Sequence, residues 1–319
     1  MSVDCLRVSV TNRCNLRCVY CHPVGDSGLI ESKEVLRFDE IRRIVELFAD
    51  CGIKKVRLTG GEPLLRNNIV RLVCELASII GIEELSVTTN GVFLEPLAAE
   101  LKAAGLQRVN ISVDSMERAS YKRITGFDLL PEVINSIYRA IEVGLTPVKI
   151  NSVILRGVND SEKQITALAE MSVNLPVSVR FIEYCPTNKY TKPASDYLPN
   201  RIVRTIIEHK YGPLSGVVMD CGNGPALYFK MRDSAGTIGF ISGRSSKFCH
   251  SCNRLRLTSD GKIMPCLYSA RTHDLKRLIR NGTSDRQIHD FLNRIITEKR
   301  NYTKSNSSKE EFSMCKIGG

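Results

Sequence analysis

Twelve cysteines are many for a chain of 319 residues, and six of them fall into two groups. Cys14, Cys18 and Cys21 are separated by three and then two residues; Cys249 and Cys252 are separated by two, and thirteen more residues separate Cys252 from Cys266. Three thiolates hold three irons of a [4Fe–4S] cluster and leave the fourth open, which is what substrate chemistry at a metal needs. A structural zinc site wants a fourth ligand, and His22 for the first group, or Cys221, His250 or His273 for the second, keeps that alternative open. Gly60-Gly61-Glu62-Pro63 combines two glycines, which permit close backbone approach, with a carboxylate that can accept from an ammonium; alone it reads equally as a turn. Arg254 and Arg256 alternate just after Cys252, so on a strand they share one face, suited to an anionic ligand. Two solvent-facing arginines are the plainer alternative.

These residues need elements to position them. Up to about residue 185, short β-branched runs alternate with stretches of helical periodicity, as in repeated βα units on a parallel sheet. Strands are expected at 5–10, 55–58, 85–88, 109–113, 148–154 and 177–182. Helices are expected at 39–49, 65–80, 96–104, 131–143 and 161–174; Ile41, Ile44, Val45 and Phe48 mark one face of the first. The unusual residues keep phase with this pattern. The first cysteines follow the first strand, Gly60-Gly61 the second and Thr88-Thr89-Asn90-Gly91 the third, while Ser112, Asp114 and Ser115 end the fourth. Function in (β/α) barrels sits after the strand C-termini. The expected fold is α/β: a partial (β/α)6 TIM-like barrel over residues 1–212, with a smaller C-terminal α+β domain over 213–319. That second part has strands at 227–231, 237–241, 255–258 and 262–264, a hairpin turn at Ser259-Asp260-Gly261, and helices at 272–280 and 284–298. A further helix, at 200–209, precedes the boundary. The tract 301–311 is polar and expected to be mobile.

Composition narrows the class. With 43% apolar and 25% charged residues and no long apolar run, the chain reads as globular with no membrane span. Its N-terminus lacks secretory or transit character, so a cytoplasmic setting is the expectation, and there thiols stay reduced. Cys5, Cys51, Cys74, Cys185, Cys221 and Cys315 are scattered and read as small hydrophobes. The net charge of +11 could serve nucleic acid, an anionic surface or a highly charged small substrate. Part of it is local: residues 271–319 hold eleven Lys and Arg against six Asp and Glu.

The C-x3-C-x2-C motif with Tyr20 before its last cysteine, followed by Gly60-Gly61-Glu62-Pro63, resembles the radical S-adenosylmethionine superfamily. The string from Phe248 to Leu257 and the terminal Gly318-Gly319 resemble the GTP 3′,8-cyclases of molybdenum-cofactor biosynthesis, a likeness spanning nearly the whole chain. The resemblance implies two [4Fe–4S] clusters, on Cys14, Cys18 and Cys21 and on Cys249, Cys252 and Cys266. It implies S-adenosylmethionine at Tyr20, Gly61, Glu62, Ser112 and Cys185, and GTP at Arg7, Arg57, Thr88, Lys149, Arg254 and Arg256. Arg254, Arg256, Gly318 and Gly319 are assigned to catalysis, the last two by tail insertion into the active site. An adenosyl radical would take the ribose 3′ hydrogen and C3′ would bond to guanine C8. Implied partners are GTP, an external electron donor, the next enzyme of the molybdopterin pathway and a second copy in a homodimer, without nucleic acid or membrane. No Walker A loop is present, so triphosphate binding would rest on dispersed cations. Tyr184-Cys185 departs from the family, which usually has methionine after Phe-Ile-Glu. Two other readings are a peptide- or protein-modifying radical enzyme with an auxiliary cluster, and a basic zinc-binding nucleic-acid module.

Overall fold

The computed structural model describes residues 3–21, 31–186, 196–219, 224–246, 248–267, 271–300 and 314–317. The βα units form because each strand turns its apolar residues mainly to the core face, leaving the other face largely polar. In β1 (Cys5–Ser9), Leu6 and Val8 are fully buried in the core, whereas Cys5 and Arg7 line an internal cavity. The same alternation holds in β2 (Lys55–Thr59), β3 (Glu84–Thr89), β4 (Arg108–Ser112), β5 (Val148–Ile154) and β6 (Val177–Glu183), which pair in order and in parallel. Between them lie α1 (Phe38–Asp50), α2 (Ile69–Ala77), α3 (Leu94–Ala103), α4 (Arg118–Thr125), α5 (Leu130–Glu142) and α6 (Glu162–Asn174), with α7 (Asn200–Tyr211) after β6. Ile41, Ile44, Val45 and Phe48 of α1 are all fully buried, as their spacing requires.

Two local outcomes differ from the sequence expectation. The helix expected from residue 65 begins only at Ile69, because Glu62 caps a 3-10 turn at Pro63–Leu65 and Asn68 takes a left-handed φ of 61° before α2 starts. Helix α4 was not expected: it spans 8 residues, too few to show a repeating apolar face. Its last-turn carbonyls, Ile124 and Thr125, nevertheless accept the amides of Val19 and Arg17, so this helix holds the first cysteine loop.

Beyond α7 come β7 (Ser215–Val217), β8 (Leu227–Lys230), β9 (Thr237–Ile241), β10 (Arg254–Leu257), β11 (Lys262–Met264) and β12 (His273–Asp274), then α8 (Leu275–Arg280), α9 (Asp285–Arg300) and α10 (Met314–Ile317). The hairpin turn before β11 is present, with Gly261 at a φ of 82°. The boundary expected near 212 does not interrupt the sheet. β9 runs parallel to β6 and β10 parallel to β1, so the described strands form one sheet in the order β12-β11-β10-β1-β2-β3-β4-β5-β6-β9-β8-β7. Pairing both edges of the six-stranded core satisfies backbone groups that an open barrel would leave exposed. The consecutive strands β9 and β10 thus sit at opposite ends of eight parallel strands, and the connection carrying Cys249 and Cys252 crosses between them. No described helix is long and apolar enough to cross a membrane. The tract 301–311 lies outside the described residues.

Candidate active site

The inner face of this sheet encloses a cavity of about 410 Å³. All six clustered cysteines line it, the first three beyond the C-terminal ends of the parallel strands and the second three at the other end. Register fixes the second position: Arg254 at the start of β10 is level with Cys5 at the start of β1, and Cys252 precedes it by two residues. The two groups are therefore separated by the strand height, on the order of 20 Å at about 3.3 Å per residue.

The first group sits on a loop clamped by backbone contacts. Gly61 N donates to Thr11 O (2.8 Å) and Glu62 N to Arg13 O (2.7 Å). A Cβ on Gly61 would lie 2.2 Å from Arg13 O, so glycine is needed for this approach. Gly61 lines the cavity, but Glu62 does not: its carboxylate accepts from Leu64 N (3.0 Å), Thr89 Oγ1 (2.7 Å) and Asn90 N (2.7 Å). Burial lifts its pKa from 4.5 to about 7 against those hydrogen bonds. Glu62 thus locks the loop that presents Asn90, whose Nδ2 faces Cys14 Sγ at 3.9 Å. Tyr20 lines the cavity and donates to Asp114 Oδ2 (2.6 Å), while Asp114 Oδ1 accepts from Val153 N (2.8 Å). Burial raises Asp114 to about 6, and burial with the nearby Cys21, Asp114 and Cys14 raises the Cys18 thiol well above its ordinary value.

The second group has the opposite surroundings. Lys299 of α9, 6% exposed, donates to Cys252 Sγ at 3.4 Å. Against the upward push of burial, Arg254 and Lys299 bring the Cys252 thiol down to about 7. Glu183 at the end of β6 pins the connection that leads to Cys249: its carboxylate accepts from Arg244 N (3.0 Å) and Ser245 N (2.8 Å), and from Asn200 N (3.0 Å) at the start of α7. Arg254 stacks on Phe248, 5.4 Å from the ring centroid. Of the zinc alternatives, His250 is exposed and His273 packs edge-on against Phe291; neither lines the cavity. Cys221 and His22 lie outside the described residues. Among the described residues no three His, Cys, Asp or Glu are grouped to hold a metal ion.

Between the two groups the strands carry cations. Arg256, Arg7 and Arg57 are register partners across β10, β1 and β2, and the row continues through Ser86 to Arg108 on β3 and β4. Like charges directly opposite one another destabilise a sheet. Accordingly, burial and then Arg256, Arg254 and Arg57 hold Arg7 well below its usual pKa, and burial takes Arg57 to about 10. Arg7 Nε is buried without a hydrogen-bond partner. Among the described residues, nine Lys and Arg side chains line the cavity against three carboxylates, which fits a multiply charged anion.

The chain matches the model of the radical SAM superfamily over residues 8–169 and that of molybdenum cofactor synthesis C over 177–305. It is 43% identical over 298 residues to the GTP 3′,8-cyclase of Pelotomaculum thermopropionicum, covering 93% of this chain and 91% of that one. The chain belongs to the GTP 3′,8-cyclase family. The corresponding cyclase of Moorella thermoacetica is 41% identical over 318 residues, 99% of this chain and 98% of its own. Streptococcus suis SuiB bound to S-adenosylmethionine shares the fold, with a TM-score of 0.64, 17% identity, and coverage of 91% of this chain and 68% of that one. This cyclase-family chain is therefore a radical SAM enzyme of α/β architecture.

Of the residues singled out from sequence, Tyr20, Gly61, Ser112, Cys185, Arg7, Arg57, Thr88, Lys149, Arg254 and Arg256 all line the cavity with the six cysteines, and Glu62 stands behind it. Gly318 and Gly319 lie outside the described residues. Sequence reasoning missed Arg108, Arg180 and Lys299, which also line it, and placed Asp114 at a strand end without giving it a role. Alternation was available for Arg108, Asn110 and Ser112 and for Ser178 and Arg180, as it was for Arg254 and Arg256. Nothing local marked Lys299, which comes from a helix remote in sequence.

Proposed function

We propose that this chain converts GTP to (8S)-3′,8-cyclo-7,8-dihydroguanosine 5′-triphosphate, the reaction that opens molybdenum-cofactor biosynthesis. The observation that carries this reading is that both cysteine groups face one cavity, with a row of buried arginines between them. The donor chemistry suits iron–sulfur clusters: among the described residues none of these six thiols is in a disulfide, all are part-buried, and Leu16 N donates to Cys14 Sγ at 3.4 Å. Cys14, Cys18 and Cys21 would hold the first cluster, and Cys249, Cys252 and Cys266 the second. When bound, the first cluster with S-adenosylmethionine supplies a 5′-deoxyadenosyl radical.

The chain's own task is orientation, since one ribose hydrogen must be presented and no other. Tyr20, Gly61, Ser112 and Cys185 would hold S-adenosylmethionine at the upper end, Tyr20 being fixed by Asp114. Glu62 acts there indirectly, through Asn90 and the cysteine loop. Arg7, Arg57 and Lys149 would bind the triphosphate, Thr88 a polar group of the nucleotide, and Arg254 and Arg256 the guanine end nearest the second cysteines. Gly318 and Gly319 would enter the active site; Met314 lining the cavity and Ile317 buried at 5% support a tail at that place. An external electron donor, the next enzyme of the pathway, a homodimer and a cytoplasmic setting complete the proposal.

The test is anaerobic turnover with GTP, S-adenosylmethionine and a reductant, followed by product identification. Arg254→Ala or Arg256→Ala should weaken GTP binding by calorimetry while uncoupled cleavage of S-adenosylmethionine survives. Unchanged GTP affinity in both variants would remove these arginines from the site.

A further inference from the structure

The arginine row contains one cation to which the family resemblance gives no role. Arg108 opens β4, is 4% exposed and lines the cavity at the level of Arg57 and Arg7, with Ser86 between. Its Nη2 donates to Glu84, but its Nε and Nη1 are buried without hydrogen-bond partners. A guanidinium in the interior normally uses its fork against a planar or tetrahedral anion, so two unused donors mark a ligand position. Arg57 turns its Nε to Ser86 Oγ (3.2 Å), which ties the neighbouring arginine to the same row. Arg108 also lies three strands from β1 along the sheet, on the side away from β10 and the second cysteine group.

We infer that Arg108, paired with Glu84, is the determinant of phosphate number in this enzyme: it takes the terminal phosphate of a nucleoside triphosphate, and diphosphates do not reach it. The inference rests on the nucleotide reading of the cavity. A guanine end near Arg254 places a chain of phosphates along the row towards β4, and its far end meets Arg108. Glu84 serves as the resident anion: it stabilises the buried cation in the empty site and opposes a short ligand that cannot displace or share it. Discrimination follows from length and charge together, because only the third phosphate offers oxygens to Nε and Nη1.

Calorimetric titrations of the anaerobically reconstituted full chain decide it, with GTP, GDP, inorganic tripolyphosphate and pyrophosphate as ligands. Arg108→Gln should weaken GTP and tripolyphosphate by about 10- to 100-fold while GDP and pyrophosphate stay within about twofold, as expected for losing one or two hydrogen bonds to a charged group. Glu84→Gln should tighten tripolyphosphate. The double variant Glu84→Gln/Arg108→Gln, which leaves no unpaired buried charge, should show the same loss of preference as Arg108→Gln. Equal weakening of two- and three-phosphate ligands, or no weakening, overturns the assignment. Wild-type chain that binds tripolyphosphate with this pattern but shows no preference for GTP over ATP would instead sink the guanine reading.

Discussion

The two cysteine groups are held by different physical means. The first is fixed by backbone: its loop is clamped by Gly61 and Glu62 on one side and by the carbonyl end of α4 on the other. In the second, Cys249 and Cys252 lie on a connection between two strands at opposite ends of the parallel set, pinned by Glu183, Cys266 follows β11, and the cations Arg254 and Lys299 stand against Cys252. The carboxylates that anchor them differ too. Burial pushes Glu62 up to about 7, whereas the hydrogen bonds from Ser245, Asn200 and Arg244 outweigh burial and hold Glu183 below its ordinary value. One end of the cavity is built for rigid placement, the other for charge compensation.

Removing each group separately is the strongest way to break this comparison. Replacing Cys14, Cys18 and Cys21 with Ala should leave about half of the roughly eight irons that two [4Fe–4S] clusters hold. It should also abolish cleavage of S-adenosylmethionine. The matching replacement of Cys249, Cys252 and Cys266 should keep uncoupled cleavage and lose cyclised product; iron analysis and deoxyadenosine release read both. Cleavage that survives loss of the first group would end the radical reading.

Gly61→Ala sharpens the claim of rigid placement. Its Cβ meets backbone 2.2 Å away, so the clamp must open, and a displacement of about 1 Å is expected to cost on the order of 100-fold in cleavage rate. The second group's iron should be unaffected.

The anchoring carboxylates predict opposite pH behaviour. The folded chain holds a proton on Glu62 that the unfolded chain releases. Stability from this group is therefore full below about 4.5 and lost as pH rises through about 7. Relative to Glu62→Gln, the wild type should lose on the order of 3 kcal/mol across that window, since each pKa unit is worth about 1.4 kcal/mol. For Glu183, whose folded pKa is depressed, the contribution is present above the ordinary carboxylate pKa and lost as pH falls below it. Thermal melts of wild type against Glu62→Gln and Glu183→Gln from pH 4 to 8 check both signs; parallel curves would erase the contrast.

The smallest effect is expected for Lys299→Gln. Losing the ammonium beside Cys252 should speed iron loss from the second group to a chelator by about tenfold, in the range typical of groups that support metal ligands. Measured in the background lacking the first three cysteines, an unchanged rate would assign Lys299 to packing alone.

Much of this was legible in residue order. The six βα units follow from period-2 and period-3.6 patterns, and the cysteine spacing, Gly60-Gly61 and the Arg254–Arg256 alternation are local signals that require no partner. Local signals also placed Glu62 in the site, where its type suggested an ammonium partner; its distance from the cavity depends on Thr89 and Asn90, which arrive from another strand. What the chain order could not decide was which residues share a level. Strand register made Arg256, Arg7, Arg57 and Arg108 one row, sheet order put β9 and β10 at opposite ends, and helix packing brought Lys299 to Cys252. Each is a contact between segments far apart in sequence, set by how buried apolar faces pack and how strand edges pair, and neither is written in the neighbours of any one residue.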